Sequence, residues 1–140
     1  MKRLFIIIIF FQITYVNFAF DNKTVFYKNQ ISYLYLYQEN IELLFIIYKN
    51  NIWPQEKLIN KLNTSLSLIQ GILNDLNLMK ITNYEKDIHK TITRITSESL
   101  KLTKIFISGL DSNNNDWLKS FIKAKKHNAQ EITKLTEMEE

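Results

Sequence analysis

The sequence predicts an all-α protein, an antiparallel helical bundle of about four helices that follows an N-terminal signal peptide. Glycine and proline are scarce, two and one among 140 residues, so there are few sites for tight turns. Apolar side chains recur at helical spacing along four segments. Short polar breaks separate these segments, which places consecutive helices side by side and antiparallel.

The N-terminal residues have the pattern of a secretory leader. Lys2 and Arg3 provide the positive start, an unbroken apolar run covers 4–11, and Ala19 offers a small residue at a cleavage position. We therefore predict a signal peptide over 1–19 and export to the periplasm or the exterior. An uncleaved membrane anchor is the alternative, because the apolar stretch is close to the shortest that spans a bilayer.

The remaining chain, 20–140, is predicted to form one helical domain, since a chain of this length supports a single core. The absence of cysteine excludes disulfides, thiolate metal sites and cysteine nucleophiles. The net charge is +4, and removal of the two leader charges at Lys2 and Arg3 leaves +2. This excess is too small to indicate binding to nucleic acid.

The first helix is predicted over about 28–50 and is apolar around much of its girth. A helix of this kind lies at the centre of its domain or is covered by a partner. The alternation of tyrosine and leucine over 33–37 also fits a strand, which is the competing interpretation. Asn50, Asn51 and Pro54 end the segment.

Part of this first helix is the candidate interaction surface. Its residues are Tyr33, Tyr37, Leu44 and Tyr48. With these residues the helix has more apolar surface than a single buried stripe uses, and tyrosine is enriched at interfaces. The open alternative is that these rings pack in the core.

The second helix is predicted over about 55–79, and its pattern is the clearest in the chain. Apolar or small residues repeat in a heptad that resembles the seam of a coiled coil: Leu58, Leu62, Ser65, Ile69, Ile72, Leu76 and Met79. Asn74 lies outside this stripe. Pro54 is expected in the first turn, where a missing N–H group costs little.

The third and fourth helices follow the same logic. Thr82 and Glu85 fit a capping box that begins a helix over about 83–108, and Gly109 is expected to terminate it. The fourth helix is predicted over about 115–137. Its apolar face is Trp117, Leu118, Phe121, Ile122, Ala129, Ile132 and Leu135.

The third helix also carries a candidate basic face. At 100° per residue its cationic side chains fall within an arc of roughly 80°, opposite the isoleucines. These residues are Lys86, Lys90, Arg94, Lys101 and Lys104. The fourth helix repeats the arrangement with Lys119, Lys123, Lys126 and Lys134. Such a face docks on lipid headgroups or an acidic protein, or it is only the solvated side of the bundle.

No pattern in the sequence indicates catalysis. Glu85 and His89 have a spacing that metal ligands use, but no further ligand set accompanies them, and His127 falls on a polar face. No serine elbow of a hydrolase is present. We therefore predict no enzyme activity, no cofactor and no metal.

The function predicted from the sequence is that of an exported, non-enzymatic binding protein that works through its helix faces. Its expected partner is another protein or a second copy of the chain, and binding to nucleic acid is not expected. Contact with a membrane surface is an open alternative, but no segment is expected to span the membrane once the leader is removed. The alternative is a carrier of an apolar ligand held between the first helix and its neighbours.

Overall fold

The computed structural model describes residues 23–112 and 115–137. The predicted leader lies outside the described residues, so it and its cleavage stay predictions. The described chain forms four α-helices and one 3₁₀ turn, without a strand, which confirms the all-α bundle. None of the described helices is long and apolar enough to cross a membrane.

The helices are α1 (Lys23–Lys49), α2 (Gln55–Leu78), α3 (Lys86–Leu110) and α4 (Asp116–Glu137), with the 3₁₀ turn Asn83–Glu85 before α3. Both α1 and α3 touch all the other helices, whereas α2 and α4 do not touch each other within the described chain. The bundle is therefore built on an α1–α3 pair, with α2 on one side and α4 on the other.

Contacts between α1 and α3 show that these helices run in the same direction. Tyr27 meets His89 and, farther along, Tyr37 meets Ser99. The short connections to α2 and α4 then give an up-down-up-down order. α1 therefore lies at the centre of the bundle, as its broad apolar surface predicted. Residues 33–37 are helical, so the strand interpretation is wrong.

α1 ends in a Schellman motif at Asn51. The N–H of Ile52 donates to the carbonyl of Ile47 at 3.1 Å, and the N–H of Asn51 donates to the carbonyl of Tyr48 at 3.1 Å. Asn51 has a φ of 49°, in the left-handed region that asparagine tolerates better than most residues. The asparagines after α1 thus stop the helix by a defined hydrogen-bonded turn. Pro54 lies one residue before α2, as its N-cap.

The predicted seam of α2 is confirmed. Leu58, Leu62, Ser65, Ile69 and Leu76 are all buried, and Ile72 and Met79 are half-buried at its edge. Asn74 is exposed, as its place outside the stripe predicts. The heptad pattern therefore identified the correct face of this helix.

The capping box before α3 is also confirmed. The backbone N–H of Thr82 donates to the Glu85 carboxylate at 2.8 Å, and the Thr82 hydroxyl donates to the same oxygen at 2.7 Å. Gly109, by contrast, does not terminate the helix, which continues to Leu110. Gly109 is buried against the Trp117 ring, which occupies the space that a Cβ at this position would need.

Five aromatic side chains fill the end of the core near the α3–α4 connection: Phe45, Tyr48, Phe106, Trp117 and Phe121. Their ring centroids lie 4.6 Å apart for Phe106 and Phe121 and 5.0 Å apart for Phe45 and Phe121. These are the separations of offset or tilted aromatic pairs, which add to the stabilisation from burial. We call this group the aromatic cluster.

The predicted apolar face of α4 needs one correction. Phe121, Ile132 and Leu135 are buried, but Ile122 is 47% exposed. Asn128 occupies a core position instead, with 1% of its surface exposed. An amide in the core requires hydrogen-bond partners on neighbouring helices, and a pattern of apolar residues does not reveal them.

Candidate interaction surfaces

The candidate surface on α1 does not exist as one exposed face. Tyr37 and Leu44 are buried, Tyr48 is half-buried in the aromatic cluster, and only Tyr33 of these four residues is exposed. The core alternative therefore applies to Tyr37, Leu44 and Tyr48. An apolar ligand held beside these residues gains no support from this packing, because the three side chains already pack against protein.

The hydroxyl of Tyr37 is bound inside the bundle. It lies 2.8 Å from the backbone carbonyl of Ser99, to which it donates, and it also contacts the hydroxyl of Thr103. Burial raises the pKa of Tyr37 far above its ordinary value. The neutral phenol thus acts as a fixed link between α1 and α3.

A polar layer lies beside Tyr37 and joins three helices. The Asn128 amide donates to the side-chain oxygen of Gln38 at 3.2 Å and to the Ser99 hydroxyl at 3.0 Å. Gln38 in turn donates to Glu42 at 3.1 Å, and Glu42 pairs with Lys125. We call these residues the polar layer; it holds α4 in register with α1 and α3.

The outer side of α1 carries apolar residues that the sequence prediction did not select. Tyr35, Leu36 and Ile46 are each about half exposed. Glu39 is exposed among them. Surface apolar side chains in this proportion are ordinary for a soluble helix, so their exposure alone indicates no partner.

The candidate basic face on α3 is exposed along its whole length. Lys86, Lys90, Arg94, Lys101 and Lys104 are all solvent-accessible. On α4, Lys119, Lys123, Lys126 and Lys134 are exposed as well. Since α3 and α4 are packed neighbours, these cations lie on the outer sides of two adjacent helices.

Arg94 differs from the lysines of this surface because it is neutralised. It binds Glu98 at 2.9 Å and Glu131 at 2.6 Å, and Glu131 also accepts a bond from Lys134 at 2.7 Å. The bonds from Lys134 and Arg94 lower the pKa of Glu131 to about 2. This network joins α3 to α4 and removes Arg94 and Lys134 from the charge available to a partner.

Five of the seven remaining cations lie toward the α3–α4 connection, whereas Lys86 and Lys90 lie at the other end of α3. The pairs Arg94–Glu131 and Phe106–Phe121 fix the register of the two antiparallel helices. In that register Lys101 is level with residues 124–126 and Lys104 with residues 121–123. Five lysines therefore group on adjacent helices: Lys101, Lys104, Lys119, Lys123 and Lys126. We call them the lysine cluster.

The lysine cluster carries no ion pair within the described chain. At 1.5 Å of rise per residue, Lys119 and Lys126 are about 10 Å apart along α4, and packed helices lie about 8–10 Å apart. These spacings are close to the screening length of about 8 Å at physiological ionic strength. Lysines on neighbouring turns of one helix therefore reinforce one another's attraction for an anion, whereas those at opposite ends of the cluster are partly screened from one another.

An open pocket lies where α3 ends and α4 begins. It has a volume of about 330 Å³ and is lined by Lys104, Ile105, Ser108, Gly109, Ser112 and Trp117. Its surface is mostly apolar, while Lys104 belongs to both the pocket and the cluster. We call it the Trp117 pocket.

The histidines do not build a metal site in the described chain, where no group of three or more suitable side chains could hold a metal ion. The ring of His89 is half-buried, and its Nδ1 lies 3.2 Å from the Tyr27 hydroxyl. Burial, and to a smaller extent the charge of Glu85, raises the pKa of Tyr27. His127 is exposed on the polar side of α4.

No protein-family model, curated protein or solved structure matches this chain. The case for a function therefore depends on the side chains themselves.

Proposed function

We propose that the protein is an exported, non-enzymatic interaction protein that binds an anionic partner through the lysine cluster. The observation that carries this proposal is the group of exposed lysines on α3 and α4 without a carboxylate partner among the described residues. A complementary anionic surface is the natural ligand of such a patch, because like charges grouped on one side of a protein attract the opposite charge.

The spacing within each helix favours binding over simple solvation. Lys119 and Lys123 are four residues apart, Lys123 and Lys126 three apart, and these spacings bring like charges together on a helix surface. Such pairs destabilise a helix by about 0.2–0.5 kcal/mol each. A solvated outer face does not require this arrangement, and an anionic partner relieves the repulsion. Elsewhere on the same surface, Arg94 and Glu98 have opposite charges at the same four-residue spacing.

Export is the second part of the proposal, and the leader pattern at the N-terminus supports it. Mass spectrometry of the protein from its native host should identify a mature N-terminus near Phe20. Full-length chain with Met1 in a soluble cytoplasmic fraction contradicts export.

The test of the binding role uses polyglutamate as a defined anionic probe. Fluorescence anisotropy at low ionic strength should show binding that weakens as salt is added, because the attraction is screened. Lys101→Glu combined with Lys123→Glu should abolish it. Lys28→Glu combined with Lys61→Glu is the matched control, since it makes the same change in net charge at exposed sites on α1 and α2.

Two results would overturn the binding role. The first is an absence of binding at low ionic strength. The second is an equal loss of binding in both double variants, since net charge and not the lysine cluster would then determine the affinity. Circular dichroism of each variant checks that its helices are retained.

A further inference from the structure

We infer that the anionic partner is a lipid bilayer, into which Ile46 of α1 and Ile122 of α4 insert between lysines. This inference rests on the proposed binding role of the lysine cluster, with which it shares Lys119 and Lys126, and it adds the chemical class of the partner. Its basis is the juxtaposition of two exposed apolar side chains with cations at the contact between α1 and α4.

An ion pair between α1 and α4 shows that the two isoleucines are neighbours. Glu42 of α1 binds Lys125 of α4 where these antiparallel helices meet. Ile46 lies four residues after Glu42, and Ile122 lies three residues before Lys125, so each isoleucine shares a helix side with one member of the ion pair. Because the helices run in opposite directions, both steps lead toward the same end of the bundle. Ile46 and Ile122 therefore lie side by side, one turn beyond the ion pair, and we call them the isoleucine pair.

Both members of the isoleucine pair are open to solvent, although the core lies directly behind them. Ile46 is 51% exposed and Ile122 is 47% exposed. The residues immediately before them, Phe45 and Phe121, are buried with their ring centroids 5.0 Å apart. A single apolar residue on a surface is ordinary, but two at the same level of adjacent helices offer one contiguous apolar contact. About half of each side chain is left for a partner to bury.

Lysines surround the isoleucine pair. Lys119 lies three residues before Ile122 and Lys126 four residues after it, which places both lysines on its side of α4. On α1, Lys49 follows Ile46 by three residues. These three lysines are exposed and have no ion pair among the described residues. The apolar contact is therefore bordered by cations on both helices.

The carboxylates near the isoleucine pair do not cancel this positive charge. Glu42, the nearest, is already neutralised by its ion pair with Lys125. Glu39 is exposed, but it lies one turn farther from Ile46, beyond Glu42. The surface around the isoleucines thus has an excess of positive charge, which favours a partner with negative charge.

This combination suits the surface of a membrane better than a second copy of the chain or an acidic protein. Proteins that dock on a bilayer bury apolar side chains at the headgroup boundary while their lysines attract anionic lipids. A second copy would bring the same lysines together, and like charges across an interface repel. A lysine amine is a point charge on a flexible stem, which follows mobile headgroups and sets no fixed geometry for a folded partner.

Sedimentation with lipid vesicles tests the isoleucine pair. The protein should bind mixed vesicles of phosphatidylglycerol and phosphatidylcholine at least 10-fold more tightly than vesicles of phosphatidylcholine alone, because the lysines attract only the first kind. Ile46→Ser combined with Ile122→Ser should weaken binding to the mixed vesicles roughly 10-fold or more, since less apolar surface then leaves water. Leu78→Ser combined with Ile81→Ser, at exposed apolar residues near the α2–α3 connection, is the matched control and should bind as the native protein does. Circular dichroism of both double variants checks that the helices are retained.

A fluorescent label measures insertion at this surface directly. The chain has no cysteine, so Ile122→Cys provides a single attachment site for an environment-sensitive dye. The emission of the dye should shift to the blue when mixed vesicles are added, because the dye passes from water into lipid. Ser67→Cys, at an exposed serine on α2, is the control and should keep the emission of a dye in water.

The outcomes distinguish this inference from the proposed function. Binding to polyglutamate without binding to the mixed vesicles overturns the lipid partner and leaves the binding role of the lysine cluster intact. Retained vesicle binding in the isoleucine double variant, or a label at position 122 whose emission does not shift, overturns insertion. Absence of binding to polyglutamate and to vesicles alike overturns both proposals.

Two further results would assign the isoleucine pair to another partner and overturn the lipid. The first is a loss of polyglutamate binding in the isoleucine double variant, which would assign the pair to an acidic protein chain. The second is a blue shift of the label at position 122 that grows with protein concentration in the absence of vesicles, which would assign the pair to a contact between two copies.

Discussion

Asn128 on α4 donates its side-chain amide to the side-chain oxygen of Gln38 on α1, across 3.2 Å of the bundle interior. Both residues are buried, with 1% and 5% of their surfaces exposed. Each therefore depends on the other for a hydrogen bond that water would otherwise supply.

Asn128→Leu should lower the free energy of unfolding by about 1–3 kcal/mol, because it leaves Gln38 with an unpaired buried oxygen. Adding Gln38→Leu removes that orphan, so the double variant should be more stable than the sum of the single changes predicts. Chemical denaturation of the three variants measures this coupling. Gln130→Leu, an exposed position on the same helix, is the control. Additive single effects would contradict a shared bond.

Gly109→Ala should destabilise the protein by about 1–3 kcal/mol, because the new methyl group overlaps the Trp117 ring and the aromatic cluster restricts the movement of that ring. The sign is diagnostic, since replacing a glycine inside a helix by alanine ordinarily stabilises by about 0.5–1 kcal/mol. Gly71→Ala, inside α2, should show this ordinary gain. Thermal unfolding compares the two. A stabilised Gly109→Ala would mean that Trp117 does not pack on the α3 backbone.

Glu131 should make the stability of the protein pH-dependent in acid. Its pKa falls from an ordinary 4.5 to about 2 in the folded state, so its contribution is fully present above about pH 4.5 and is lost as the pH falls toward 2. The stability difference between the native protein and Glu131→Gln should shrink across this window. Urea titrations at several pH values measure it.

The control for the acid titration is Glu39→Gln, at an exposed carboxylate on α1 without an ion pair among the described residues. Its effect should show no comparable loss in the same window. High salt should also reduce the effect of Glu131→Gln, because Arg94 and Lys134 are partly exposed and their attraction is screened. A pH-independent Glu131→Gln effect would refute the network.

Ile69→Asp should abolish cooperative unfolding, since Ile69 is fully buried on the seam of α2. An unpaired buried charge costs several kcal/mol, which is comparable to the whole stability of a small domain. Asn74→Asp, on the exposed side of the same helix, should be nearly silent. Circular dichroism during thermal unfolding distinguishes the two, and equal tolerance of both changes would be inconsistent with the seam.

The amino-acid sequence alone is sufficient to predict the local features of this protein. Helix type, the seam of α2, the capping box at Thr82 and Glu85, and the exposed basic side of α3 all follow from spacing within one segment. Their physical reason is local, because a helix places residues three and four apart on one face, and a cap joins groups within one turn.

The packing of the helices against one another determines which of several apolar sides α1 buries and which polar residues enter the core. Tyr37 is buried because α3 supplies acceptors for its hydroxyl, and Asn128 is buried because Gln38 and Ser99 complete its hydrogen bonds. Gly109 serves the Trp117 ring of the next helix and not the end of its own. These contacts join residues distant in sequence, and only the packing of the helices brings their complementary groups together.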